Sequence, residues 1–350
     1  MDKRYFSDKV AEWYQLNKRE LPWRETKDPY KIWLSEIILQ QTRVIQGLPY
    51  YLKFVEKFPG VAELAAASEQ EVLRLWQGLG YYTRARNLHK CAKEVVRLYN
   101  GAFPKTYSEL LKLPGIGEYT AAAIASFSYK ESVAVVDGNV FRVLSRVFGI
   151  DLEINRPEGK KHFTQVANEL ISQINPDLHN QAMMEFGATY CTPKNPLCEE
   201  CIFKSTCFAF QKNVVSDLPV KVKSKASQKR FFYYLVVQKG KSLAMTLRDQ
   251  KGIWHGLYDF PLIEKKRAVK IETILSEDVK WSARKSKPEI SESYKHVLSH
   301  QIITAKFVIL PFDEISSGMK RKLKFYSPKQ MAELPKPVLI SRFLHDHHLL

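Results

Sequence analysis

Outside one short stretch this chain has a single cysteine, Cys91, out of five in 350 residues. A disulfide-stapled secreted scaffold is thereby excluded, because its cysteines would have to be spread along the chain to cross-link it. Long apolar runs are also missing. None approaches the roughly 18 residues of a membrane-spanning helix. The opening Met1-Asp2-Lys3-Arg4-Tyr5-Phe6 lacks the apolar core of a secretory signal. The sequence shows no internal repeat and no low-complexity tract. Acidic side chains are the other shortage: 37 Asp and Glu stand against 54 Lys and Arg, a net charge of +17. Such a surplus suits a polyanionic partner, since each cationic side chain set on a phosphate releases a condensed counterion. Charge alone is equally compatible with a basic protein that is simply soluble. What remains is a reduced, cytoplasmic protein of about two domains, with 45% hydrophobic residues to fill their cores.

The other four cysteines are Cys191, Cys198, Cys201 and Cys207, in a C-x6-C-x2-C-x5-C array. Thiolates this crowded can share one soft metal centre. Zinc also accepts four thiolates, and the spacing does not separate it from iron–sulfur. Cys91 falls in a helical pattern as a small core residue.

Residues 1–213 read as mostly helical, with Leu73, Leu75, Trp76, Leu88, Cys91, Ala92, Val95, Val96 and Tyr99 at helical spacing. Residues 214–229 form an expected exposed linker containing Pro219, Lys221, Lys223, Lys225 and Lys229. Residues 230–350 have an α+β texture. Phe231 to Val237 and Ser242 to Leu247 flank Gln238-Lys239-Gly240-Lys241 as a hairpin, His296 to Leu310 reads as one long strand, and a short helix falls near Ile271 to Leu275.

Three stretches suggest chemistry. Leu113-Pro114-Gly115-Ile116-Gly117 lies between helical segments, the first opened by Thr106 and Glu109 as a capping box. Gly115 and Gly117 there make a tight hairpin whose amides suit a phosphate, although such a pair is more often an ordinary turn. Asp28-Pro29 starts a helix in which Glu36 has Ile32, Trp33, Leu39 and Gln40 as neighbours one turn away. A carboxyl among apolar neighbours loses hydration and keeps a proton near neutral pH, as a general acid must. The plainer reading pairs Glu36 with Arg43 at a helix edge. Asp137, before Gly138-Asn139-Val140, suits a helix N-cap; facing a pocket it would instead stabilise a sugar cation. Glycoside cleavage uses such a division of labour between two carboxyl groups.

Jointly these stretches resemble the MutY-type adenine DNA glycosylases, within the helix-hairpin-helix, iron–sulfur superfamily that includes endonuclease III. The resemblance runs along essentially the whole chain: Leu21-Pro22-Trp23-Arg24, Ser35-Glu36-Ile37-Ile38-Leu39-Gln40-Gln41-Thr42, Gly78 through Tyr81 to His89, the glycine hairpin, Val136-Asp137-Gly138-Asn139 and the four cysteines. It implies a mainly α catalytic domain (1–213) carrying one structural 4Fe-4S cluster on the 191–207 loop, and an α+β Nudix-like domain (230–350). Lys194 and Lys204 suit the DNA-facing loop that the cluster shapes in this family. By the same resemblance Glu36 protonates the departing adenine and Asp137 stabilises the sugar cation, with Tyr119 and Asn139 as supports. Trp23, Arg24 and Glu185 line the adenine pocket. Gln40 and Tyr81 wedge into the duplex, which offsets the few kcal/mol of base extrusion.

Endonuclease III-like lyases have a lysine where Tyr119 stands, and tyrosine forms no Schiff base. The resemblance therefore implies a monofunctional enzyme that excises adenine mispaired with 8-oxoguanine or guanine from double-stranded DNA. It implies a monomer, cytoplasmic and associated with the bacterial nucleoid. In the C-terminal half, Gly252 to Pro261 matches the Nudix-like entry motif. Leu298-Ser299-His300 matches the lesion-probing Phe-Ser-His loop, with Leu replacing the usual Phe. No glutamate-rich Nudix box accompanies it, so that domain is expected to bind and not hydrolyse. The tail His345-Asp346-His347-His348 is expected to be frayed and exposed. Two rival readings are an endonuclease III-like lyase, and a noncatalytic DNA-binding protein whose cluster senses redox state.

Overall fold

The computed structural model describes residues 2–222, 227–279 and 287–350. Residues 223–226 of the expected linker, with Lys223 and Lys225, lie outside the described residues. In chain order the first helices are α1 (Lys3–Asn17), α2 (Pro29–Leu39), α3 (Val44–Lys57), α4 (Val61–Ala66), α5 (Glu69–Leu75) and α6 (Thr83–Tyr99). They are followed by α7 (Tyr107–Leu110), α8 (Glu118–Tyr129), α9 (Gly138–Phe148), α10 (Pro157–Leu170), α11 (Pro176–Thr189) and α12 (Phe208–Gln211). By contacts the chain divides into two units: Met1–Ala66 with Asn87–Lys223, and Ala67–Arg86 with Ser224–Leu350. No sequence signal announces that residues 67–86 group with the C-terminal half.

The first unit is helical, as its periodicity predicts. α2 starts where Asp28 accepts the Tyr30 N–H at 2.9 Å and Pro29 presets the first turn. Nearly every residue from Tyr30 to Ile38 is buried, so this helix is enclosed on almost all sides and is not amphipathic. It packs against α8, whose Ala121, Ala122, Ala123 and Ala125 let the two backbones approach closely. A second core gathers Phe6, Val10 and Trp13 of α1, Val143 and Leu144 of α9, and Phe186 of α11. Phe203, from the cysteine loop, is fully buried in this core, stacked on Phe6 at 4.7 Å and edge-on to Phe186 at 5.5 Å. One aromatic anchor thus fixes the loop to α1 and α11. Residues 214–222 are not a free linker: Leu218 is buried, Ile154 N–H donates to the Val220 carbonyl, and Arg146 donates to the carbonyls of Val215 and Leu218.

Among the described residues the second unit is built on a mixed sheet of eight strands: β1 (Gln228–Lys239), β2 (Ser242–Leu247), β3 (Tyr258–Asp259), β4 (Leu262–Lys265), β5 (Glu289–Ile290), β6 (Tyr294–Leu298), β7 (Gln301–Pro311) and β8 (Lys324–Tyr326). Its helices are α5, α13 (Ile271–Thr273), α14 (Ser317–Lys320), α15 (Pro328–Glu333) and α16 (Val338–Asp346). β1 and β7 run parallel along their full lengths at the centre, and the remaining pairs are antiparallel. The expected β1–β2 hairpin is present, closed by Gly240 at φ +59 and Lys241. The expected single strand from His296 to Leu310 is instead two strands, β6 and β7, paired antiparallel across Ser299 and His300. Its turn lacks the Gly, Asn or Asp that normally marks one. In the C-terminal tail His345, Asp346 and His348 are exposed, as expected, but His345 and Asp346 belong to α16, which buries Leu339, Ile340, Phe343 and Leu344 just before them. Among the described residues no helix is long and apolar enough to cross a membrane.

Candidate active site

In the first unit Trp23, Arg24, Glu36, Tyr119, Asp137, Asn139 and Glu185 line one cleft of about 180 Å³. Their sources are separate in sequence: a 3-10 turn, α2, the first turn of α8, the start of α9, and α11. Glu36 is only 6% exposed, and the Tyr119 hydroxyl donates to its Oε2. Burial pushes the Glu36 carboxyl up to about 7; the Tyr119 hydrogen bond opposes this, and the nearby Asp137 charge adds to it. The structure shows no pairing with Arg43 that would put Glu36 at a solvated helix edge. The buried reading holds.

Asp137 both caps a helix and faces the cleft. Its Oδ1 accepts the N–H groups of Asn139 and Val140 at 2.8 Å each, and its Oδ2 accepts Asn139 Nδ2 at 2.7 Å. Burial raises its pKa, while these three donors favour the ionised form. The Asp137 carboxylate is one of the causes that raise Glu36, which keeps a proton toward neutrality.

Behind Asp137 runs a set of contacts that motif reading does not supply. Arg142 Nη2 donates to Asn139 Oδ1 at 2.8 Å and to the Gly187 carbonyl at 2.6 Å, and its Nε donates to the Cys191 carbonyl at 2.7 Å. Asn139 is therefore oriented on both sides of its amide, and the nitrogen end is the one aimed at Asp137. A Cβ on Gly187 would lie 2.6 Å from the Asn139 Cβ, so only glycine lets α11 and the start of α9 approach this closely. Arg19 and Gln181 also line the cleft. Gln181 lies one helical turn before Glu185, a spacing that could have flagged it.

Glu185 is fully buried and both of its oxygens are occupied. Oε1 accepts Arg19 N and Nε at 3.1 and 2.6 Å; Oε2 accepts Arg19 Nη2 and Arg24 Nη2 at 2.7 and 2.6 Å. Burial would raise its pKa, but the two guanidinium groups outweigh that and hold it near about 2. Glu185 thus orients Arg24 and is not free to read a base directly. Glu185→Ala leaves the Arg24 guanidinium, 15% exposed, without its partner. Chemical denaturation at pH 7 should show a loss of about 2–4 kcal/mol. As the folded pKa lies below that of the unfolded chain, this stabilisation is present above about pH 4.5 and fades as pH falls toward 2.

Beside the cleft, Gln40, Gly117, Tyr119 and Lys160 line a groove of about 1000 Å³. Gln40 ends α2, and its Nε2 makes a long contact of 3.5 Å to Thr120 Oγ1. Gly115 sits at φ +78, and a Cβ there would lie 2.7 Å from the Asn87 Cβ, so the turn requires glycine twice over. Gly117 caps α8 at an ordinary φ of −97°, and a Cβ there would meet nothing within 4 Å.

All four array cysteines border one small cavity with Arg146, Leu197 and Phe210, and none is in a disulfide. Among the described residues no group of three or more ligating side chains closes on a point as one metal ion requires. Donors reach the sulfurs: Arg146 Nη1 lies 3.5 Å from Cys191 Sγ, and Phe203 N–H lies 3.4 Å from Cys201 Sγ. Burial, together with the neighbouring sulfurs, pushes the Cys201 thiol up to about 12. A multivalent group among these sulfurs would reverse that cost. Four thiol donors bordering one cavity fit a metal group held on this loop.

In the second unit Tyr81, Leu298, Ser299 and His300 border a hollow of about 560 Å³ with Gly252 and Trp254. Tyr81 stands at φ +48, half exposed, with its hydroxyl paired to the Ser299 hydroxyl. Ser299 and His300 are exposed at the turn, while Leu298 is half-buried.

A family model for "HhH-GPD superfamily base excision DNA repair protein" matches residues 34–173, and one for "NUDIX domain" matches residues 232–346. The adenine DNA glycosylase of Buchnera aphidicola subsp. Baizongia pistaciae is 36% identical over 342 residues, covering 95% of this chain and 94% of that protein. That of Mus musculus is 42% identical over 216 residues, 59% of this chain and 42% of that protein. Among solved structures, a thermostable thymine-DNA glycosylase is 29% identical with a TM-score of 0.56, covering 60% of this chain and 97% of that one. A non-covalent endonuclease III–DNA complex, 22% identical with a TM-score of 0.53 over 61% of this chain and 98% of that one, shares the fold. With the helical half and the Nudix-like half each matched by a family model, and a 36% identical relative covered along nearly its whole length, the chain belongs to the adenine DNA glycosylase family.

Proposed function

We propose that this chain is a monofunctional glycosylase that hydrolyses the N-glycosidic bond of adenine mispaired with 8-oxoguanine or guanine in duplex DNA. The observation that carries the reading is the pair Glu36 and Asp137 on the walls of one cleft, Glu36 raised to about 7 by burial and Asp137 met by three hydrogen-bond donors. Glu36, protonated near neutral pH, donates to the purine ring nitrogen as the bond breaks. Tyr119 keeps that carboxyl oriented. Asp137 remains ionised and lowers the energy of the oxocarbenium-like sugar. Asn139, itself held by Arg142, supports Asp137. Trp23, Arg24 and Glu185 frame the adenine, Glu185 through its grip on Arg24. Gln40 and Tyr81 fill the stack that the base leaves. Leu298, Ser299 and His300 read the opposite lesion.

The surplus of positive charge supports a duplex partner. So does Gly117, the N-cap of α8, where a Cβ would meet nothing within 4 Å and the helix N-terminus is open to a phosphate. Cys191, Cys198, Cys201 and Cys207 would hold one 4Fe-4S cluster, which would supply a structural crosslink to the 191–207 loop and no step of the reaction. Iron and acid-labile sulfide in equal amounts, with no zinc, is the expected analysis. Residues 1–213 act as the catalytic domain, 214–229 as the connection and 230–350 as the lesion reader, with Ala67–Arg86 serving the reader. The enzyme works as a cytoplasmic, nucleoid-associated monomer.

Duplexes with adenine opposite 8-oxoguanine, guanine or thymine, incubated with the protein and then treated with alkali, test the reading. Breaks are expected in the first two alone. Borohydride should trap no protein–DNA adduct, because Tyr119 cannot form an imine. Equal breaks in all three, or a trapped adduct, would overturn it.

A further inference from the structure

Within the C-terminal unit, contacts converge on Ala67–Arg86 from two directions. The Gln77 side chain donates through Nε2 to Ser341 Oγ at 3.2 Å and accepts the Lys336 backbone N–H at 2.9 Å. Arg86 Nη1 donates to the His255 carbonyl at 2.5 Å, and its Nη2 donates to Thr83 Oγ1 at 3.0 Å. His255 lies in a loop with three residues at positive φ: Gly252 at 142°, Trp254 at 61° and Gly256 at 81°. A tryptophan in the left-handed region persists only when its surroundings dictate it. The Trp254 ring lies edge-on to Phe232 at 6.1 Å and His296 at 5.5 Å, with the Arg248 guanidinium 6.0 Å over it, while α5 and Arg86 hold the two residues that follow. Gln70 Nε2 reaches the Gly256 carbonyl at 3.3 Å, and a Cβ on Gly256 would lie 3.1 Å from Leu73 Cδ1. Between the two fastenings stands Tyr81, with the Arg84 guanidinium 5.6 Å over its ring and its hydroxyl on Ser299.

We propose that Arg86 and Gln77 are positioning residues for lesion selectivity, fastening the loop that carries Tyr81 to the C-terminal unit so that Tyr81 and Ser299 meet the orphan purine as one rigid pair. This rests on the functional reading above. The two purines to be told apart differ only by an oxygen at one ring carbon and a hydrogen on the adjacent nitrogen. Reading that difference needs side chains held to within roughly 0.5 Å. Two exposed loops joined only by a pair of hydroxyl groups would wander further than that. The Arg86 and Gln77 hydrogen bonds, made to backbone and to α16, remove the slack. Neither side chain belongs to the cleft where the base leaves.

The test measures single-turnover adenine release by full-length protein from duplexes with 8-oxoguanine or guanine opposite the adenine. In Arg86→Met the ratio of the two rates should fall about tenfold, with the guanine-duplex rate within about twofold of wild type. Arg86→Lys, which keeps one donor for the His255 carbonyl, should recover a good part of the ratio. Gln77→Ala should act in the same direction from the other side, and serves if Arg86→Met melts too low to assay. An unchanged ratio in both folded variants overturns the proposal. Equal losses on both duplexes also overturn it, marking these residues as plain structural braces. A wild-type protein that does not prefer the 8-oxoguanine duplex overturns the functional reading itself, an outcome visible before any variant is made.

Discussion

Glu36→Gln is expected to slow adenine release by roughly 10²–10⁴-fold while duplex binding stays at the wild-type level. Glutamine keeps the shape and can still accept the Tyr119 hydroxyl, but it has no proton to give. The same change should make the protein more stable in alkali. The folded carboxyl titrates at about 7, against 4.5 for its ordinary value. Native protein therefore binds more protons than unfolded chain between those pH values, and its stability falls as pH rises through them. By pH 8 the buried charge costs about 3 kcal/mol, which the glutamine variant avoids. Thermal melting should show the variant above wild type at pH 8, with the gap closing at pH 4.5. Wild-type base release should itself decline about tenfold per pH unit above 7, as Glu36 loses its proton. A pH-independent rate between 6 and 9 would remove Glu36 from the acid role.

Asp137→Asn should be as damaging to the reaction, with little effect on the fold. Asparagine caps a helix as well as aspartate does, so the Asn139 and Val140 N–H groups keep an acceptor. One contact is lost, because an amide nitrogen would face Asn139 Nδ2, whose own oxygen is committed to Arg142. Stability should change by no more than about 1 kcal/mol, because removing a buried charge that burial disfavours offsets the lost contact. Base release should drop roughly a thousandfold, since the negative charge opposite the developing cation is gone. Asp137→Ala removes charge and cap together and should cost about 1 kcal/mol more. If Asp137→Asn turned over normally while Asp137→Ala did not, the carboxylate would be a cap alone.

The most legible parts of the molecule are those whose physics is local. Asp28-Pro29 announces α2, and the apolar residues around Glu36 point to a carboxyl that keeps its proton, although that segment alone slightly favours a solvated helix edge. The cysteine array declares a ligand set through spacing. What escapes is fixed by partners distant in sequence. Arg19 and Arg142 read as ordinary basic residues until Glu185, Asn139 and the Cys191 carbonyl come beside them. Gly187 looks like a weak point in a helix, and only the closeness of Asn139 gives it a reason. The β6–β7 turn escapes because Ser299 and His300 interrupt no alternation and carry no turn signal. Tyr81 and Trp254 at positive φ violate local preference altogether, and both border the hollow where the lesion is proposed to be read.

The grouping of residues 67–86 with the far end of the chain has a consequence for biosynthesis. When this stretch leaves the ribosome, the partners of Gln77, Gly78–Tyr82 and Arg86 have yet to be translated, and all of residues 87–223 must come first. At typical elongation rates that interval is on the order of ten seconds. Throughout it Leu73, with Gly256 still unmade, is a sticky site open to chaperones or to neighbouring nascent chains. A premature stop in the last third of the message would make that exposure permanent, leaving a catalytic half with an unfinished edge for quality control to find.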